Sequence, residues 1–187
     1  MARISFPSLA FAASVLVVLA AAACGSGQTA YYSNYVDTLT LYALRNTPIR
    51  TPSAYNILNV LTVRTDTTGA FDFAFDFDSA GTPRMYPAGV LGLDKTTGIQ
   101  IINAPFDNVH SAPTTGYVTD SALAVDSGTV FVARSRSTSA NCIYYSLPRY
   151  GKFQVLSIDS IQRSITLAGL VDLNCGFRGL DPGIPGS

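Results

Sequence analysis

The residues able to do acid, base or metal chemistry are few in kind. All twelve acidic residues of the 187-residue chain are aspartates, His110 is the one histidine, and cysteines stand at 24, 142 and 175. Two carboxylates can serve as general acid and base, but spacing along a chain does not say which of many aspartate pairs would share a cleft. Asp76-x-Asp78-x-x-Gly81 opens like a calcium loop. The match then fails, because Ala80 occupies the third ligand position and no acid closes the loop. A solvated strand face that keeps a phenylalanine-rich segment soluble is the expected role of Asp72, Asp76 and Asp78. A Ser-His-Asp arrangement would have to use His110, beside Ser111. No Gly-x-Ser-x-Gly elbow, His-Glu-x-x-His helix, Ser-x-x-Lys or glycine-rich phosphate loop occurs. Twelve cations balance the twelve anions without a basic run, which excludes the field that collects nucleic acid. Tyr31, Tyr32, Tyr35 and Tyr42, with Tyr144, Tyr145 and Tyr150, are either a binding surface or half-buried strand residues whose hydroxyls reach water.

The elements that would position these groups are strands. Val, Ile, Thr, Tyr and Phe are abundant, glutamate is absent and Lys95 and Lys152 are the only lysines, so helix formers are scarce. An apolar content of 48% against 13% charged residues describes a folded domain and not a disordered tail. From Phe71 to Asp78 every odd position is Phe, which places Phe71, Phe73, Phe75 and Phe77 on one face and the acids on the other. Further strands are expected over Thr38–Leu44 and Thr129–Ala133, and Tyr55–Arg64 contains a second apolar segment. Lys152–Ile158 and Ser164–Val171 are expected to pair as a hairpin closed by residues 159–163. Asp66-Thr67-Thr68-Gly69 reads as a turn. Ser79–Pro113 is the least regular third, with short apolar runs at Val90–Leu93 and Ile99–Ile102. The tail, residues 176–187, carries too much Gly and Pro to continue a sheet and is expected to run over the surface or fray. The fold class is therefore all-β, a single mostly antiparallel domain over residues 31–175.

The N-terminus reads as an address. Met1–Pro7 carries Arg3 and no acid, and Leu9–Ala23 is apolar or small apart from Ser14. That run is short for a permanent membrane span, which needs about 20 residues. Ala21-Ala22-Ala23-Cys24, followed by Gly25-Ser26-Gly27-Gln28, resembles a bacterial lipobox, with Ala21 where Leu is preferred. The resemblance implies a signal peptide over residues 1–23, acylation of Cys24, and a flexible tether over residues 24–30. Ordinary secretory cleavage after Ala23 is the alternative. Lipidation of Cys24 would consume the odd cysteine of an exported protein and leave Cys142 and Cys175 to pair as a disulfide. Metal binding by those two thiols is the weaker alternative, since no further Cys and one His remain to complete a zinc site. Gly25 stands where an Asp would resemble an inner-membrane retention signal, which points to the outer membrane.

Four stretches in order resemble the HmuY-like family of envelope lipoproteins. They are Phe71-Asp72-Phe73-Ala74-Phe75; Phe106-Asp107-Asn108-Val109 with Ala112-Pro113 and Gly116-Tyr117-Val118-Thr119-Asp120; Val130-Phe131-Val132-Ala133-Arg134; and Lys152-Phe153-Gln154-Val155-Leu156-Ser157 with Ile165-Thr166-Leu167. The resemblance implies a sandwich or hand-like β fold and, in the founding members, capture of haem for transfer to an outer-membrane receptor. Those members hold the iron between two axial His or Met side chains. Here a bis-His site within one chain is impossible. The candidate haem ligands are His110 and Met85, a chemically reasonable pair, the alternative being an apolar gap-filler and a loop residue. The expected function is non-enzymatic: an envelope-anchored lipoprotein whose β domain binds a ligand, haem among the candidates, or a partner protein. An accessory subunit of a larger membrane complex and a secreted hydrolase using aspartate pairs are the alternatives.

Overall fold

The computed structural model describes residues 29–137 and 147–185. Ten strands run in chain order: β1 Tyr35–Tyr42, β2 Ala54–Asn56, β3 Leu61–Val63, β4 Phe73–Phe77, β5 Pro83–Pro87, β6 Gly98–Ile102, β7 Leu123–Ala124, β8 Val130–Arg134, β9 Tyr150–Asp159 and β10 Ser164–Val171. Two short 3-10 turns, Ala88–Leu91 and Phe106–Asn108, are the helical elements among the described residues. The strands form two five-stranded sheets, ordered β1-β10-β9-β8-β6 and β3-β2-β4-β5-β7, in which every pairing is antiparallel. The all-β, antiparallel reading of the sequence holds.

Period-two alternation explains how the sheets meet. Phe73, Phe75 and Phe77 of β4 point with Tyr55 and Met85 into a core shared with Leu39, Leu41, Phe131, Phe153, Ile165 and Leu167 of the other sheet. Phe153 stacks on Phe131 at 5.3 Å between ring centroids and meets Phe73 and Tyr55 edge-on at 5.1 and 5.5 Å. Such ring pairs contribute about 1 kcal/mol each beyond the roughly 2 kcal/mol of burying each side chain. The expected terminal hairpin forms, with Ser164 opposite Asp159. Its turn is held by the Asp159 carboxylate, which accepts the N–H groups of Ile161 and Gln162, both at 2.8 Å.

Two expectations need correction. The acids of the Phe71–Asp78 segment do not make a solvated face: Asp72 and Asp76 are buried, and every residue of β4 is buried. The outer side of this sheet is covered because Arg45, Arg136 and Arg163 arrive from distant segments to neutralise the two carboxylates. Phe71 leaves the row of rings and packs with Ala54, Ala74 and Ala88 in a small separate cluster. Of the two outcomes expected for the tail, its described residues run over the surface of the domain and do not fray. Ala112 donates its N–H to the Arg178 carbonyl, Leu180 donates to that of His110, and the Leu180 side chain is buried. With Val109 and Ala112, it covers Val130, Val132 and Leu170 on the outer face of the first sheet.

Candidate functional site

The two candidate haem ligands are placed in different environments. Met85 lies opposite Phe75 in the β4–β5 pairing, fully buried between the sheets, because residues on that side of β5 face the shared core. The His110 side chain is 66% exposed, and its Nδ1 lies 2.7 Å from Asp181 Oδ1. A sulfur sealed among phenyl rings and an imidazole on the surface do not face one slot. His110 and Met85 therefore do not fit an axial pair around a porphyrin.

Three of the twelve aspartates on which the hydrolase alternative could draw are committed to internal partners. Asp72 accepts from the Ile57 N–H at 2.7 Å, the Arg136 N–H at 2.8 Å and Arg136 Nη1 at 3.2 Å. Burial pushes its carboxyl up from the ordinary range, and those donors oppose the push. Asp76 accepts from Arg45 Nε at 2.6 Å, the Phe77 N–H at 2.8 Å and Arg163 Nη2 at 3.3 Å. Asp78 caps the β4–β5 turn, accepting the N–H groups of Ala80 and Thr82, both at 2.9 Å, and Arg84 Nε at 2.6 Å, a set that holds its pKa below the usual value. Each of these three aspartates thus spends its acceptors on the fold. Cys24 and Cys142 lie outside the described residues, while Cys175 is half-buried after β10.

Two buried groups escaped the sequence reading. Lys152 on β9 points away from the shared core, and alternation alone would put it in water. Instead residues 103–112 fold over it. Its ammonium donates to the carbonyls of Phe106 and Val109 at 3.0 and 3.1 Å and lies 4.6 Å from the Phe106 ring centre. Burial lowers its pKa. Asp172 is fully buried after β10; its Oδ1 accepts the N–H and Nδ2 of Asn174 at 2.8 and 2.9 Å, and its Oδ2 has no partner among the described residues.

An open groove of about 610 Å³ lies beside the Lys152 cover, lined by Ile101–Pro105, Gly128–Val130 and Gln154. Ile101, Ile102, Ala104, Pro105 and Val130 give it apolar walls, and Asn103, Thr129 and Gln154 give it neutral donors and acceptors. No titratable side chain lines it, so it suits an uncharged ligand with both apolar and hydrogen-bonding parts. One wall is a sheet edge, because β6 is the last strand of its sheet. Ile99 exchanges hydrogen bonds with Val118 on that open side at 3.0 and 2.8 Å. By the antiparallel alternation, Ile101, two residues on, turns its own N–H and C=O the same way, away from β8. Nothing in the sequence marked this groove, since its residues come from three separated segments of ordinary strand vocabulary. No family model, no curated protein and no solved structure matches the chain.

Proposed function

We propose that this chain is an envelope lipoprotein, anchored through acylated Cys24, whose β domain binds an uncharged extended segment in the groove beside β6. The observation that carries the binding reading is a charge-free wall ending in a strand edge that Val118 covers at Ile99 and that stays open at Ile101, the combination used when a peptide adds a strand to a sheet. The small-residue run before Cys24 and the glycine- and serine-rich residues after it support the anchor. Two or three acyl chains would hold the protein on a membrane, where a single chain is marginal. A Cys142–Cys175 disulfide would tie the segment before β9 to the segment after β10, in keeping with an exported protein. The commitment of Asp72, Asp76 and Asp78 to internal partners weighs against hydrolysis by those carboxylates.

Two measurements test the reading. Cys24→Ser should move the protein from the membrane fraction to the soluble fraction and abolish labelling by radioactive palmitate; unchanged fractionation contradicts the anchor. Titrating the isotopically labelled chain from residue 25 onward with N-acetyl-trialanine amide should shift the amide resonances of Ile101, Asn103, Thr129 and Gln154. Shifts absent there, or scattered over the whole surface, would remove the groove.

A further inference from the structure

The end of the domain from which the tether departs exposes an unusual set of side chains. Tyr31 is 79% exposed, Tyr32 and Val36 61%, and Ile184 62%, and Tyr35 is exposed beside them. The first four residues of β1 are open on both sides of the strand, although their β10 partners Leu170 and Val171 are buried. Exposed apolar side chains on a loose terminus would need no explanation, but this backbone is pinned. Asn174 Oδ1 accepts the N–H groups of Tyr31 and Tyr32 at 2.8 and 3.0 Å, and its Nδ2 donates to the Tyr32 carbonyl at 2.8 Å. Asn34 donates its backbone N–H to the Gly183 carbonyl at 2.7 Å, which brings Ile184 alongside, and its Nδ2 to the carbonyls of Gly179 and Asp181, both at 2.8 Å. The fold thus invests side-chain amides in holding aromatic rings out.

The chain leading to this surface says what covers it. From Cys24 to Tyr31 is seven residues, which at about 3.5 Å each reach at most about 25 Å. A domain held by acyl chains at Cys24 keeps this end within that distance of the bilayer. Tyrosine places an apolar ring and a hydroxyl together and favours the headgroup layer of a membrane. Asp37 and the His110–Asp181 pair are exposed charged groups, Arg178 is turned onto the Ala112 carbonyl, and the half-buried Arg149, whose charge reaches Tyr32, donates to the Leu58 carbonyl, so among the described residues the surface carries no exposed basic cluster to attract anionic lipid. Ring insertion, not charge, would hold it.

We propose that Tyr31, Tyr32, Tyr35, Val36 and Ile184 form a membrane-seating surface that rests in the headgroup layer of the bilayer carrying the acyl chains of Cys24. This rests on the anchoring reading above, and the experiment separates the two. The chain contains no tryptophan, so an introduced indole reports alone. Ile161 supplies the control site: it lies in the β9–β10 turn, beyond Tyr42, at the far end of β1 from Tyr35. Eight strand residues separate the two ends by about 25 Å. The full chain carrying Tyr32→Trp or Ile161→Trp would be purified from membranes and reconstituted into phosphatidylethanolamine vesicles containing brominated phosphatidylcholine. With Tyr32→Trp, emission should shift to the blue and fall by roughly half or more, as expected for an indole at headgroup depth. With Ile161→Trp it should match the protein in detergent-free buffer. Protein that floats with the vesicles while both indoles remain unquenched overturns the seating surface and leaves the anchor standing. Protein that does not float overturns the anchor and, with it, this proposal. Concentration-dependent self-association on the vesicles that shields Tyr32→Trp from aqueous iodide without bromine quenching would assign the surface to a second copy, and would also overturn it.

Discussion

Asp172 shows how a buried carboxylate becomes a pH sensor of stability. Its side chain is fully out of solvent and one oxygen has no partner among the described residues, so burial disfavours the charged form and raises its pKa. The folded protein then holds this proton more tightly than the unfolded chain does. The stabilisation is complete below the ordinary carboxylate pKa and is lost as pH rises through the elevated folded value. Asp172→Asn keeps an acceptor for Asn174 and removes the titration. We expect the unfolding free energy of Asp172→Asn, measured in urea, to gain on that of the unsubstituted protein as pH is raised from 4 to 7, by an amount on the order of 1 kcal/mol, the scale of a buried group left unpaired. A difference that stays flat across this range, or moves the other way, contradicts the assignment. Asp76 is buried too, but with other partners. Its two arginine partners and the Phe77 N–H leave it fully engaged. None of this was legible in the sequence: period two tells which residues share a side of β4, but not whether that side meets water. Arg45 and Arg163 are 31 and 87 residues from Asp76, and only the packed chain brings them there.

At the scale of the element, the terminal hairpin is the part of the fold that the sequence announces best, because alternation, a short turn headed by Asp159 and a β-branched run all agree. The glycines inside it carry information that alternation does not. A Cβ built on Gly151 of β9 would lie 2.9 Å from Phe153 Cε2 and 3.1 Å from Val171 Cγ2. The Phe153 ring therefore lies along the glycine-lined strip formed by Gly151 and by Gly169, which pairs with Phe153 across β10. Gly151→Ala would gain up to about 1 kcal/mol of backbone entropy. It would also force the Phe153 ring, which meets those of Tyr55, Phe73 and Phe131, to shift, at a cost of about 1–3 kcal/mol. The second effect is the larger. Chemical unfolding should show a net loss of about 1–2 kcal/mol for Gly151→Ala; an unchanged or raised midpoint would mean that the ring has room to move. Strand β5, by contrast, hid from the sequence, because Pro83 and Pro87 bracket it and proline reads as a breaker. It forms because those prolines stand at the two ends of a short strand.

At the scale of the whole molecule, the proposed surfaces lie toward opposite edges of the first sheet, the tyrosines at β1 and the groove at β6. The register runs Tyr35 to Val171 at one end of the first sheet and Tyr42 to Ser164 at the other. The groove rows follow Ile102, Val130, Gln154 and Ala168 across to Thr38, and the groove's Gly128 and Thr129 continue toward the β9–β10 turn. Composition and periodicity by themselves determined the fold class, the inward-facing rings Phe73, Phe75 and Phe77, and the terminal hairpin, because strand propensity and side-chain alternation are local properties of the chain. The tertiary structure alone decided that Asp72, Asp76 and Lys152 are buried, that Met85 and His110 are apart, that the tail is bound, and that a charge-free groove meets an open strand edge. Those outcomes depend on which distant segment covers a given face, and neither alternation nor spacing encodes that.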